Sequence, residues 1–247
     1  MKVACLFKWA RNPGDAWVNP DGSVLWRGAK MVASDDDAAA IVFAREVAEA
    51  TGGELTGVTI GDGDASWALA RGAQRVVSIP DVAPSPDDAS TAASLAAAVR
   101  HAGEFDLVLM GDAQDHPGVA GTLGALLGMP VLLGVQGVTV HGDDSPRLLA
   151  RRRVGTGLET LGAPSPVLAA VAAESTEKDV PGVRQLMDAR KRPIEKAGAV
   201  EAGAPGLEAV TLIGSRVPDS HVARIFDGDP ASAARDLISS LTADGVL

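Results

Sequence analysis

Short apolar runs alternate with alanine-rich stretches of helical period through the first half of the chain. Residues 3–8, 55–60, 75–79 and 106–110 read as strands. Between them, Ser34 is a good N-cap for a helix whose residues Ala40, Phe43, Ala44 and Val47 form one apolar stripe. Thr51-Gly52-Gly53 stops that helix. A short helix over 65–71 and an alanine-rich one over 88–101 follow. Strands that are apolar throughout need cover on both faces, which parallel strands gain from their crossover helices. The alternation predicts an α/β fold: a Rossmann-like doubly wound, mostly parallel sheet.

The second half adds different elements. Residues 131–141 and 147–154 flank the turn Gly142-Asp143-Asp144-Ser145-Pro146 and predict an antiparallel hairpin. Residues 167–172 read as another buried strand. Residues 174–192 are polar and end in Arg190-Lys191-Arg192, and 198–206 is a Gly/Ala/Pro linker. A strand-like run at 209–213 and a final helix over 230–241, with proline in its first turn, form a C-terminal arm. The expected division is a nucleotide-binding domain over 1–192 and a linker plus arm over 193–247.

A chain of 247 residues supports one large domain, or one with an arm. Aromatics make up 3% and tyrosine is missing, so the core must be Val, Leu, Ile and Ala. A net charge of −10 argues against nucleic acid or an anionic membrane as partner. The single cysteine, Cys5, sits in an apolar run and reads as a small core residue; it permits neither an internal disulfide nor a cysteine metal cluster. No apolar run reaches ~18 residues, and the first residues lead straight into a strand. A cytoplasmic protein without membrane insertion is expected.

The segment between Asp106 and Gly128 carries the functional signal. An apolar strand ends at Gly111, a loop of small residues follows, and Gly118-Val119-Ala120-Gly121-Thr122 opens a helix. That order gathers unpaired N–H groups at the carboxyl edge of the sheet, where an anion, usually a nucleotide phosphate, is favoured. A glycine loop that only permits close packing is the plainer alternative. The loop lacks a Walker lysine and the dinucleotide fingerprint, and the chain lacks a Gly-x-Ser-x-Gly elbow. The four histidines have neither ligand nor triad spacing, so no acid, base or nucleophile is identified. Asp35, Asp36 and Asp37 suit the positive end of a helix dipole rather than a metal, and would repel a phosphate there. A phosphate should therefore sit near Gly118 to Thr122. Arg151-Arg152-Arg153 and Arg190-Lys191-Arg192 read equally as solvated faces or as contacts to an acidic partner.

Five pieces, in order, resemble the beta subunit of electron transfer flavoprotein. They are VACLFKWARN; VTIGDGDASWALARGAQRVVSI; DLVLMGDAQDHPGVAGTLGALLGMP; RRRVGTGLETLGAPSPVLAAV; and VRQLMDARKRPIE. The resemblance implies a heterodimer with an alpha subunit, an FAD shared with that subunit, and an AMP held by the beta subunit. It implies an electron carrier rather than an enzyme, taking electrons from a dehydrogenase and passing them to a redox acceptor. The arm would pack on the alpha subunit. A recognition loop between Ala172 and Ala189 would meet the dehydrogenase through Val183, Leu186 and Met187.

By the same likeness, the nucleotide cleft would be lined by Leu6, Ser34, Asp35, Asp36, Asp37, Ile60, Gly111, Asp112, Ala113, Gln114, Asp115, His116, Gly118, Val119, Ala120, Gly121 and Thr122. The chain departs from the family where phosphate is usually held. The family's Asp-Asp-x-Asn-Gln-Thr-Gly is here Asp115-His116-Pro117-Gly118-Val119-Ala120-Gly121, leaving only backbone N–H groups with Thr122 and His116. Two other readings stay open: a stand-alone adenine-nucleotide sensor of similar fold, and a bifurcating-type relative with a second FAD in the AMP position.

Overall fold

Nine strands form one sheet: Lys2–Leu6 (β1), Glu54–Ile60 (β2), Arg75–Ile79 (β3), Leu107–Gly111 (β4), Val131–His141 (β5), Arg147–Val154 (β6), Gly157–Ala163 (β7), Val167–Val171 (β8) and Glu195–Lys196 (β9). This computed structural model describes residues 1–82, 87–112, 116–142, 147–176, 180–204, 210 and 223–247. The strand order is β7-β6-β5-β8-β4-β1-β2-β3-β9. Pairing is parallel from β5 through to β9 and antiparallel at β5–β6 and β6–β7. The doubly wound, mostly parallel sheet with an antiparallel extension is thus present.

The described residues also form seven helices: Asp35–Ala50 (α1), Ser66–Leu69 (α2), Asp88–Ala102 (α3), Gly118–Leu127 (α4), Val183–Ala189 (α5), Ala199–Ala202 (α6) and Pro230–Ala243 (α7). The period of two along β1 sends Val3, Cys5 and Phe7 to one face and Ala4 and Leu6 to the other. The first face packs against Ala40, Phe43, Ala44 and Val47 of α1. The second packs against α3 and α4, through residues such as Ala92, Ala96, Val99 and Leu123. Small helix side chains bring these helices close. Gly57 on β2 does the same for α2: a Cβ there would lie 2.7 Å from that of Ala68.

Three elements exceed the sequence expectation. The hairpin gains a third strand, β7, paired with β6 from Leu148↔Ala163 to Val154↔Gly157. The polar stretch expected as a recognition loop contains α5. The expected linker begins inside the sheet unit, because β9 pairs with β3 and the N–H of Ala199, the first residue of α6, donates to Asp81 at 2.9 Å. The strand expected at 209–213 lies outside the described residues except for Val210, which is not in a strand.

The chain divides into two compact units, residues 1–17 with 25–213, and residues 18–24 with 214–247. The second unit contains α7. Asp229 caps it, accepting the N–H groups of Ala231 and Ser232 at 3.1 Å, and Pro230 occupies the first turn. No residue of α7 is buried, and Leu237 and Ile238 are exposed.

Candidate functional site

Strand order reverses between β1 and β4. From β1 the chain winds outward through β2 and β3, then crosses back to β4 on the other side. In such a sheet the crevice beyond the carboxyl ends of those two strands is where ligands bind. The residues at its mouth are Phe7 and Lys8 after β1, Gly111 and Asp112 at the end of β4, the first turn of α1, and the start of α4.

Two carboxylates accept backbone N–H groups at this mouth. Ser34 caps α1, its Oγ accepting the N–H of Asp37 at 3.1 Å. The Asp37 side chain turns inward, buried, and accepts the N–H of Lys8 at 2.9 Å and of Gly111 at 3.3 Å. It thereby joins the ends of the two strands that flank the crevice. Gly111 permits this approach, since a Cβ there would meet the Asp36 Cβ at 2.5 Å. Burial pushes the Asp37 carboxyl up to about 6; the N–H groups of Lys8 and Gly111, the Ser34 hydroxyl and the Lys8 charge oppose the shift.

The second carboxylate is Asp88, in the first turn of α3. Asp87 caps that helix, accepting from Ala89 and Ser90, which leaves Asp88 to reach across to α4. Its Oδ2 accepts the N–H of Gly118 at 2.9 Å and its Oδ1 lies 3.1 Å from His116 Nδ1. Asp37 and Asp88 therefore clasp the loop after β4 at its two ends, Gly111 and Gly118.

The other expected cleft residues divide into groups. Leu6 and Ile60 are buried in the core beneath α3 and α4. Val119 and Ala120 are also core residues of α4. Asp112 accepts the N–H of Gly134 at 3.2 Å, tying the end of β4 to β5. Gly121 faces open space, and Thr122 is partly exposed on α4. Asp35 and Asp36 lie in the first turn of α1. Ala113, Gln114 and Asp115 lie outside the described residues. Sequence reasoning missed Asp88, although a second aspartate directly after an N-cap aspartate has no capping task of its own.

The α4 start does not fit an AMP phosphate. The amide of Gly118, which a phosphate there would use, already donates to Asp88. A phosphate charge ~4 Å from the carboxylate would be repelled by about 4 kcal/mol at an effective dielectric near 20. An FAD shared with a second subunit is a different case, because it asks this chain for an open surface rather than an enclosed cavity. Such surface exists on the antiparallel extension, where Leu133, Val154 and Leu158 are exposed, the last by 64%.

A second feature lies on α5. Val183, Leu186 and Met187 stand at i, i+3 and i+4 and so share one helix face. Val183 is 78% exposed and Met187 52%. Ala189 is buried and anchors the helix; the Arg190–Asp64 ion pair at 3.5 Å holds its end. Arg192 donates to the carbonyls of Ala73 and Gln74, at 3.1 and 2.6 Å. The three residues expected to meet a partner thus converge on a braced helix. Gln185 gives the sequence signal for it: three residues after Gly182, it accepts that residue's N–H at 2.8 Å.

Comparison with known proteins gives two findings. Residues 23–202 match the family model described as "Electron transfer flavoprotein domain". A curated relative, the electron transfer flavoprotein subunit beta of Bacillus subtilis (strain 168), is 27% identical over 259 aligned residues, covering 99% of this chain and 98% of the relative.

Proposed function

Because the chain belongs to the electron transfer flavoprotein family, as a beta subunit, we propose that it works as one half of a heterodimer with a flavin-binding alpha subunit. In this reading the pair carries electrons from a dehydrogenase to a redox acceptor, and its setting is the cytoplasm. FAD, held mainly by the alpha subunit, supplies the acceptance and release of electrons. This chain covers and orients the flavin and excludes water from it. None of its residues is assigned as acid, base or nucleophile.

The observation that carries the reading is exposed apolar surface. Leu133, Val154 and Leu158 are exposed on β5, β6 and β7, and the C-terminal unit presents Leu237 and Ile238 on α7. An isolated helix of this length is marginal in water and gains stability by packing its apolar face. We assign both surfaces to the alpha subunit, with residues 214–247, which belong to the second unit, as the arm. The exposed face of α5 is assigned to the dehydrogenase: a small apolar anchor on a polar surface suits a transient complex.

No described helix is long and apolar enough to cross a membrane. Direct exchange with dissolved or peripheral partners fits that observation. The stand-alone nucleotide sensor is the weaker reading, since it needs the α4 amide that Asp88 takes.

Co-expression with an alpha-type subunit tests the proposal. A one-to-one complex that is yellow, and bleaches when a cognate dehydrogenase and its substrate are added, is the expected result. Well-folded subunits that stay separate and colourless would refute it.

A further inference from the structure

We propose that Asp88 stands in the place of a nucleotide phosphate, so that this chain holds neither AMP nor a second FAD at the start of α4. The inference builds on the proposed function, whose family resemblance is the reason to expect a nucleotide there at all.

The start of α4 has the form of an anion site: a helix N-terminus beside a strand end at the sheet's reversal point. The anion present is the chain's own. Asp88 Oδ2 accepts the Gly118 N–H at 2.9 Å, and Asp88 Oδ1 meets His116 at 3.1 Å. One carboxylate thus meets both the first amide of α4 and the His116 imidazole. Pro117, the residue before the helix, has no side-chain hydrogen bond to offer as a cap. Asp88 performs the capping from a neighbouring helix instead.

Residue choice at Gly118 agrees. A Cβ there would fall 2.8 Å from Asp88 Oδ2 and 3.1 Å from Asp88 Cβ. Any side chain at 118, including one able to hold phosphate, would push the carboxylate off the amide. Asp88 and Gly118 therefore form a matched pair. Asp37 does the equivalent at the other end of the loop, where it takes the amides of Lys8 and Gly111. AMP and the pyrophosphate of a second FAD would meet the same negative charge, and would find the amides of Lys8, Gly111 and Gly118 already bound to carboxylates.

The experiment has two arms. In the first, the co-expressed pair is acid-denatured and its released nucleotides are counted, and the full-length chain alone is titrated calorimetrically with AMP and with FAD. One FAD per pair, no AMP, and no heat from the lone chain is expected. One AMP per pair, two FAD per pair, or stoichiometric AMP binding by the lone chain would overturn the inference and leave the proposed function standing. A pair without flavin would overturn the proposed function instead, and the titration of the lone chain would still decide this inference.

The second arm reads the clasp itself, as exchange of the Gly118 amide proton in the wild-type chain and in Asp88→Ala and Asp88→Asn. Protection in the wild type, lost by on the order of tenfold in Asp88→Ala and largely kept in Asp88→Asn, is expected. Fast exchange in the wild type, or unchanged exchange in Asp88→Ala, would overturn the role given to Asp88.

Discussion

The amide of Gly111, at the end of β4, donates to the Asp37 carboxylate at 3.3 Å, across 74 residues of sequence. The same carboxylate takes the Lys8 amide at 2.9 Å. One buried side chain thus fastens α1 to both strands at the reversal of the sheet, and it does so where water cannot repay its charge.

A stability profile against pH follows. Asp37 keeps its proton up to about pH 6 in the fold, but only to about 3.9 in an unfolded chain. The native state therefore binds the extra proton between those values. Its contribution to stability is greatest below about pH 4, declines as pH rises toward 6 and is level beyond, by something of the order of 3 kcal/mol. Urea unfolding of the wild type and of Asp37→Asn at several pH values measures it: the difference in slope between pH 4 and 6 is the expected signature. Parallel profiles would refute it. Asp37→Ala, which leaves two amides without an acceptor, is expected to cost about 2–4 kcal/mol.

Gly111→Ala tests the close approach on which that contact depends. A Cβ at 111 would sit 2.5 Å from the Asp36 Cβ and 2.9 Å from Asp37 Oδ1. The helix start must retreat, so a loss of about 1–3 kcal/mol is expected, with faster exchange of the Lys8 amide. Gly121→Ala is the control: nothing lies within 4 Å of a Cβ at that position, and alanine favours the helix by up to about 1 kcal/mol.

Cys5 supplies a third check. It is fully buried, and burial pushes its thiol well above the ordinary range. Thiol reagents should modify it only as fast as the domain opens. A labelling rate that rises with urea in step with unfolding is expected; rapid labelling of the native chain would contradict the packing described for β1.

The face of α5 predicts a separation of functions. Val183→Asp and Met187→Asp place charge on an exposed surface and should leave thermal stability within about 0.5 kcal/mol of the wild type. They should also leave the flavin content of the pair unchanged. Reduction by the dehydrogenase should slow by roughly tenfold or more, as for loss of an interface anchor. Unaltered reduction by both variants would remove α5 from the docking surface.

Much of this was legible in the sequence because it is local. The cap at Ser34, the stripe from Ala40 to Val47 and the all-apolar run of β4 each follow from neighbouring residues. The third strand of the extension was harder to read: β7 alternates weakly, and it is fixed by pairing with β6 rather than by burial. Asp37 and Asp88 show the limit most clearly. Both stand among acidic neighbours at helix starts, where compensation of the dipole is explanation enough. Only the folded chain reveals that each turns away from its own helix to an amide on another element, Gly111 for one and Gly118 for the other.

The most direct test of the account is flavin stoichiometry measured on the chain alone and on the chain paired with an alpha-type subunit. The account predicts that the chain alone retains no FAD and that the pair retains one per heterodimer. Stoichiometric FAD on the isolated chain, or a stable pair that binds none, would contradict it.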